Sequence, residues 1–117
     1  MPANDELVRN VLTIIDARDW PGLAALITPD IVYDRPGYPT LCGATEFMRF
    51  YTHIRVIADG RHRLDSLLTN ERTGFCWGHF EGVTRAGEPI SEIFADWYEF
   101  ENGRIRRRRT FFYRPAI

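Results

Sequence analysis

Lysine is absent: all 15 basic residues of the chain are arginine. Schiff-base chemistry on a lysine and a P-loop are thereby excluded. Serine occurs only as Ser66 and Ser91, neither inside a GxSxG, so the local signature of an α/β-hydrolase nucleophile is missing. Cysteine is limited to Cys42 and Cys76, without CxxC spacing. Neither a disulfide framework nor a thiolate metal site follows, and both are expected to be reduced packing residues. The three histidines form no HxH or HExxH pattern, so no metal is expected. No apolar run approaches the roughly 18 residues of a membrane span, and the start "MPANDELVRN" is polar. Neither a signal peptide nor a membrane anchor is expected, and the cytoplasm is the expected location.

What is present has the composition of an ordinary folded protein. The 117 residues are 44% hydrophobic and 14% aromatic, with charges of both signs interspersed, a net charge of -1 and no internal repeat. One domain over 1–117 is expected, large enough for one core and one pocket. Asn4 or Asp5 can cap a first helix in which Val8, Val11, Leu12 and Ile15 make one apolar stripe. Pro21 opens a short second helix with Leu23, Leu26 and Ile27 inward, ended by Pro29-Asp30. "DIVYD" (30–34) reads as a strand and "RPGYPTLCG" as a loop. Phe47, Phe50, Tyr51, Ile54 and Ile57 then mark the inner side of a third helix over 44–58. From His62 the apolar period falls to two, which predicts strands at 61–69, 74–84, 89–100 and 104–113, joined at "TNERTG", "RAGE" and "ENGR". This order predicts an α+β domain whose curved, mostly antiparallel sheet wraps around three helices and encloses a pocket.

If "RAGE" closes as a two-residue turn, Trp77 faces Asp96, His79 faces Phe94 and Glu81 faces Glu92. One sheet face then carries Trp77, His79, Glu81, Glu92, Phe94, Asp96 and Tyr98, and the other carries Cys76, Phe80, Ile93, Ala95 and Trp97. Both are apolar enough that one is expected to line the interior and the other to meet a helix or a second subunit, which makes a homodimer the expected assembly. "ENGR" admits a two-residue turn or a three-residue turn with a bulged Gly103, setting Asp96 opposite Arg109 or Arg108. Asp96 is therefore expected to have an arginine neighbour, as a structural ion pair or as part of a site. "RIRRRR" (104–109) invites a nucleic-acid reading, but strand alternation divides its arginines between two faces, and no nucleic-acid partner is expected.

Tyr33-Asp34-Arg35-Pro36, "GATEFMRFY" and "FADWYEFENGRI" make the chain resemble the NTF2-like superfamily, especially its SnoaL-like and ketosteroid-isomerase-like branches, over nearly its whole length. The resemblance implies a cone-shaped fold. It also implies a set of possible activities, because members include polyketide cyclases, ketosteroid isomerases, limonene-epoxide hydrolases, scytalone dehydratases and non-catalytic binding modules. Asp96 matches the aspartic acid with which ketosteroid isomerases hydrogen-bond the enolate oxygen, while Arg35 stands where their general-base aspartate belongs and Val11 where their tyrosine belongs. Tyr33 matches the water-orienting tyrosine of limonene-epoxide hydrolases, whose other polar residues are replaced by Arg35, Trp77, His79 and Thr110. His62 matches a pocket histidine of scytalone dehydratases.

The expectation is a small cofactor-independent enzyme with His79 and Asp96 as the acid/base pair and Tyr33 and Arg35 polarising a substrate oxygen. Tyr38, Phe47, Tyr51, Trp77, Phe94, Tyr98, Arg108, Thr110 and Phe112 are expected to line the pocket around a hydrophobic, polyketide-like substrate. Cyclisation or isomerisation is the leading reaction. Epoxide opening, dehydration and non-catalytic binding are the alternatives. For His79 the competing role is a hydrogen-bonded core histidine, and for Arg35 a salt bridge to Asp34. Glu81 and Glu92 are either a second carboxylate pair or rim residues bridged by Arg61 or Arg63.

Overall fold

The apolar stripe of the first helix needs a sheet beneath it, and the computed structural model, which describes residues 2–114, supplies one. Helix α1 (Pro2–Ala17) buries Val8, Val11, Leu12 and Ile15 and packs on strand β3 (Ile57–Thr69). It starts before Asn4 and Asp5, so neither is its cap. Asn4 instead donates its amide to the Asn70 carbonyl at 2.8 Å, and Asp5 accepts from the Thr69 hydroxyl, tying α1 to the end of β3. Helix α2 (Trp20–Ala24) is capped by Asp19, which accepts from Gly22 N at 3.1 Å, and has Pro21 in its first turn. Strand β1 (Ile27–Asp34) begins earlier than expected and takes Ile27, and the short β2 (Leu41–Cys42) pairs with it inside the segment read as a loop.

The third helix departs most from the simple period. Helix α3 (Ala44–Arg49) ends in one π-helical turn, Phe50–Ile54, and β3 starts at Ile57 rather than after a helix reaching 58. The wider turn rotates the residues at its end, so Ile54 is 41% exposed while Arg55 is buried.

Strands β4 (Thr73–Thr84), β5 (Pro89–Glu101) and β6 (Arg104–Phe112) complete a six-stranded sheet of order β2-β1-β6-β5-β4-β3. Only β1 and β6 run parallel. Bulges in β3 near Ala58 and Asp65 help the sheet bend around the helices. Gly78 lies in this bend, where a side chain is forbidden: a Cβ would fall 1.9 Å from the Arg63 carbonyl oxygen. The fold is the expected α+β, NTF2-like architecture, with three N-terminal helices in the mouth of the sheet.

Two hairpins set which side chains enter the interior. At "RAGE" the loop has three residues, 85–87, with Gly87 at φ 87° and Thr84 N donating to Glu88 O at 2.8 Å. The register is therefore one residue away from that of a two-residue turn: Cys76 faces Asp96, Trp77 faces Ala95 and His79 faces Ile93. A one-residue slip exchanges the faces of β4. Cys76 and Phe80 join Phe94, Asp96 and Tyr98 inside, while Trp77 and His79 go to the outer face. At "ENGR" Asn102 and Gly103 form a two-residue turn with φ 51° and 75°, and the bulge lies at Arg106 within β6. Asp96 is consequently opposite Thr110, with Arg108, Thr110 and Phe112 on its face.

Candidate active site

Asp96 is completely buried and accepts hydrogen bonds from three side chains: Thr110 Oγ1 at 2.6 Å, Tyr98 Oη at 2.9 Å and Arg108 Nη2 at 3.0 Å. Since the Thr110 proton goes to Asp96, Tyr33 must donate its own to Thr110, at 2.7 Å, and it accepts from Arg35 Nη1 at 3.3 Å. Arg108 also donates to Tyr51 Oη at 2.7 Å. The result is a closed network in which every partner of Asp96 is a donor. Asp96 thus acts as a carboxylate that fixes Arg108, and it has no proton to offer an enolate in this arrangement.

The aromatic groups around this network fill the core rather than a large chamber. Phe47 packs on Tyr33 and Tyr51, and Tyr38 meets Phe50 edge-on, with ring centroids 5.1–5.6 Å apart. Burial pushes the Tyr51 phenol up to about 12, against the pull of Arg108. Burial raises Tyr33 as well, but Arg108 and Arg35 outweigh it and hold its phenol below the ordinary value. For Arg108, desolvation is the largest influence and works against the charge, but Asp96 together with Tyr33, Tyr51 and Tyr98 outweighs it and raises the guanidinium well above its usual range.

A small space lies beside the network. A niche of about 20 Å³, room for about one water molecule, is lined by Arg35, Arg55, His62, Phe80, Phe94, Arg108, Thr110 and Phe112. His62 also lines a wide open groove of about 1300 Å³ between the end of α1, the start of β3 and the β4–β5 hairpin. It is the one residue shared by the two linings.

His62 is held from α1. Asp16 Oδ1 contacts its Nδ1 at 2.6 Å, and Oδ2 accepts from its backbone N at 2.7 Å. Its ring packs on Phe80 and Phe94, with centroids 4.7 and 5.2 Å away. Burial lowers its pKa, and the Asp16 hydrogen bond opposes this only in part. The neutral ring therefore predominates at pH 7. With Asp16 accepting at Nδ1, the proton sits there and Nε2 keeps its lone pair. An oriented imidazole of this kind can remove a proton from a group in the groove.

Several expected site residues are elsewhere. His79 is on the outer face, its Nδ1 2.7 Å from Asp65 and 2.9 Å from Arg63 Nη2, and Trp77 beside it is 43% exposed. Glu81 is paired with Ser91 rather than Glu92, which instead meets Arg114 at 3.1 Å. Asp34 bonds Arg109 and Thr40, not Arg35. Arg35, Phe94, Arg108, Thr110 and Phe112 do converge on the niche, whereas Tyr33, Tyr38, Phe47, Tyr51 and Tyr98 support it from behind. Two residues escaped the sequence reading. Asp16 prolongs the i, i+4 row of Val8 and Leu12 with a carboxylate, and that interruption was the available signal. Arg55 gave none, because the π-turn that brings it inward breaks the helical period.

Residues 8–108 match the SnoaL-like domain. The chain belongs to the SnoaL-like domain family. Its fold is shared by an NTF2-like protein of unknown function from Burkholderia pseudomallei K96243, at 25% identity and TM-score 0.85, covering 96% of this chain and 92% of that one. TerC, co-crystallised with polyporic acid, superposes with TM-score 0.82 at 19% identity over 94% of this chain and 91% of its own. An LEH-like epoxide hydrolase from Mycobacterium tuberculosis does so with TM-score 0.83 at 14% identity, covering 95% of this chain and 83% of that one. No curated protein matches the chain. At such identities these likenesses carry the fold, and the chemistry has to be argued from the site.

Proposed function

We propose that this SnoaL-like domain is a cofactor-independent acid/base enzyme that cyclises or isomerises a hydrophobic, polyketide-like metabolite, with His62 as the base. The supporting observation is the Asp16–His62 pair, whose histidine lines both the groove and the niche. The substrate body lies in the groove, and one oxygen enters the niche. His62 Nε2 takes a proton from the carbon next to a carbonyl, and the electron pair moves onto the carbonyl oxygen. The guanidinium groups beside the niche stabilise that charge in a site shielded from water. The proton then returns from His62 to another carbon, or the enolate carbon attacks a second carbonyl of the same folded molecule. Asp16 orients the ring and stabilises the imidazolium. Asp96 acts at one remove, by holding Arg108.

Kinetics of four variants test this. His62→Ala should lower kcat/KM by about 10²–10⁴, the usual share of a general base, and Asp16→Asn should lower it too. His79→Ala and Trp77→Ala should leave it within about threefold, because both side chains are outside the pocket. Full activity in His62→Ala would remove the proposal. The water-sized niche favours epoxide opening as a second reading, with a water there as nucleophile. It would place solvent ¹⁸O in the product, which isomerisation would not.

The outer sheet face supports a homodimer. Phe75, Trp77, Ile93 and Phe111 are 38–49% exposed there, and Phe75 and Phe111 stack with centroids 6.5 Å apart. A second copy of this sheet would cover them.

A further inference from the structure

Gly60, in β3, has no backbone reason to be glycine. It is not among the positive-φ glycines, and the nearest backbone atom to a Cβ built on it, the Glu81 carbonyl oxygen, is 3.2 Å away. What occupies the space is a side chain: Cζ and Cε1 of Phe80 lie 2.2 and 2.6 Å from that Cβ position. Gly82, opposite Gly60 on β4, differs, because its own Cβ would fall 2.3 Å from the Asp59 carbonyl oxygen, so the chain itself requires glycine there. Together the two glycines leave a floor without side chains, and the tip of the Phe80 ring rests on it.

The seated ring is a direct neighbour of the proposed base. Phe80 is buried and pairs with His62 across β3 and β4, with ring centroids 4.7 Å apart and planes at 53°. Phe94 meets the same imidazole edge-on at 5.2 Å. Arg55 lies over the Phe80 ring at 5.6 Å, a cation–π contact that adds to the hold on that ring. The Asp16 hydrogen bond fixes where Nδ1 points but leaves the imidazole free to turn about that bond. Ring packing removes this freedom. It also keeps water from the imidazole, and burial is the main cause of its lowered proton affinity. Aim matters for a base, since a misplacement of about 1 Å can cost about 10²-fold in rate.

We infer that Phe80, seated in the space left open at Gly60, is a positioning residue for the proton-transfer step: it holds the imidazole of His62 in one orientation against Asp16 and keeps it dry. Gly60 is glycine so that this ring can lie there. The inference rests on the reading of His62 as the base and extends it to two residues that have no proton to transfer.

Gly60→Ala, Phe80→Leu and the double variant test it in the full chain, with folding checked by far-UV circular dichroism. Gly60→Ala suits the backbone and has only to push the ring aside, so the fold should persist. Two quantities are read: the pKa of His62 by NMR, and deuterium exchange at the α-carbon of an enolisable aryl 1,3-diketone as a function of its concentration. In each single variant the His62 pKa should rise toward the ordinary histidine value as water reaches the ring. The kcat for exchange should fall by about tenfold or more while KM stays within about threefold. In the Phe80→Leu background Gly60→Ala should add little, because the ring through which Gly60 acts is gone. A merely structural role would lower the melting temperature and leave the His62 pKa unmoved. The inference is overturned if the His62 pKa and kcat keep their wild-type values in Gly60→Ala, or if Gly60→Ala costs as much in the Phe80→Leu background as in the wild type. Equal exchange in wild type and His62→Ala would remove the base reading while the pKa shifts and their coupling still stood. Lost exchange in His62→Ala, with wild-type pKa and exchange in Gly60→Ala, would do the reverse.

Discussion

Replacing Asp96 by Asn discriminates between the two lives a buried carboxyl group can lead. A protonated acid is mimicked closely by the amide, and the substitution would cost little. A carboxylate paired with a buried arginine is not. In this protein Asp96→Asn leaves Arg108, 3% exposed, without its counter-charge, and turns an amide N–H₂ toward at least one of the donors Thr110, Tyr98 or Arg108. Breaking one side of a buried pair costs about 3–5 kcal/mol. At about 4 °C per kcal/mol for a domain of this size, melting should fall by roughly 12–20 °C. The assay is urea and thermal unfolding followed by far-UV circular dichroism. The double variant Asp96→Leu/Arg108→Met should recover much of the loss, because an apolar replacement of the whole pair is often neutral. A single-variant cost below about 1 kcal/mol, the scale of a neutral hydrogen bond, would refute the carboxylate assignment and restore Asp96 as a candidate proton donor.

Three further outcomes are expected of the same structure. Gly78→Ala should destabilise by at least about 1–3 kcal/mol, the range for overpacking, since its Cβ meets the rigid Arg63 carbonyl; wild-type stability would show that the β3 bend yields there. His62 should titrate by NMR below the ordinary histidine value. Because the unfolded chain then binds the proton more readily, its contribution to stability is complete above the unfolded pKa and lost as pH falls through the folded one; a folded pKa above the ordinary value would reverse both statements. Trp77→Arg or Phe111→Glu should convert a dimer to a monomer in light scattering, and a dimer that survives both would use a different surface.

The architecture was legible because its signals are long. Val8, Val11, Leu12 and Ile15 repeat over two helical turns, and the alternation of β3 to β6 persists over most of the second half of the chain. The site was not, because its placement depended on single residues at hairpins. Whether Arg85 belongs to the "RAGE" loop decides which face of β4 looks inward, and with it whether His79 or Cys76 stands beside Asp96. Both loop lengths are compatible with Gly87, so local turn chemistry could not choose. Neither register expected for the last hairpin is the observed one, because the bulge at Arg106 sets Asp96 opposite Thr110 rather than Arg109 or Arg108, and Arg108 reaches Asp96 diagonally from the same face. The Asp16–His62 pair joins positions 46 apart in the chain, and no local pattern encodes it. Arg55 depended on a π-turn, a departure from the period used to find helices.

Proton transfer at carbon by the imidazole of His62 can be measured by incubating wild type and His62→Ala with an enolisable, acidic aryl 1,3-diketone in D₂O and following loss of the α-proton signal by NMR. Exchange should be catalysed by the wild type, lowered by about 10²-fold or more in His62→Ala and unchanged in His79→Ala. Equal exchange rates in wild type and His62→Ala would contradict it.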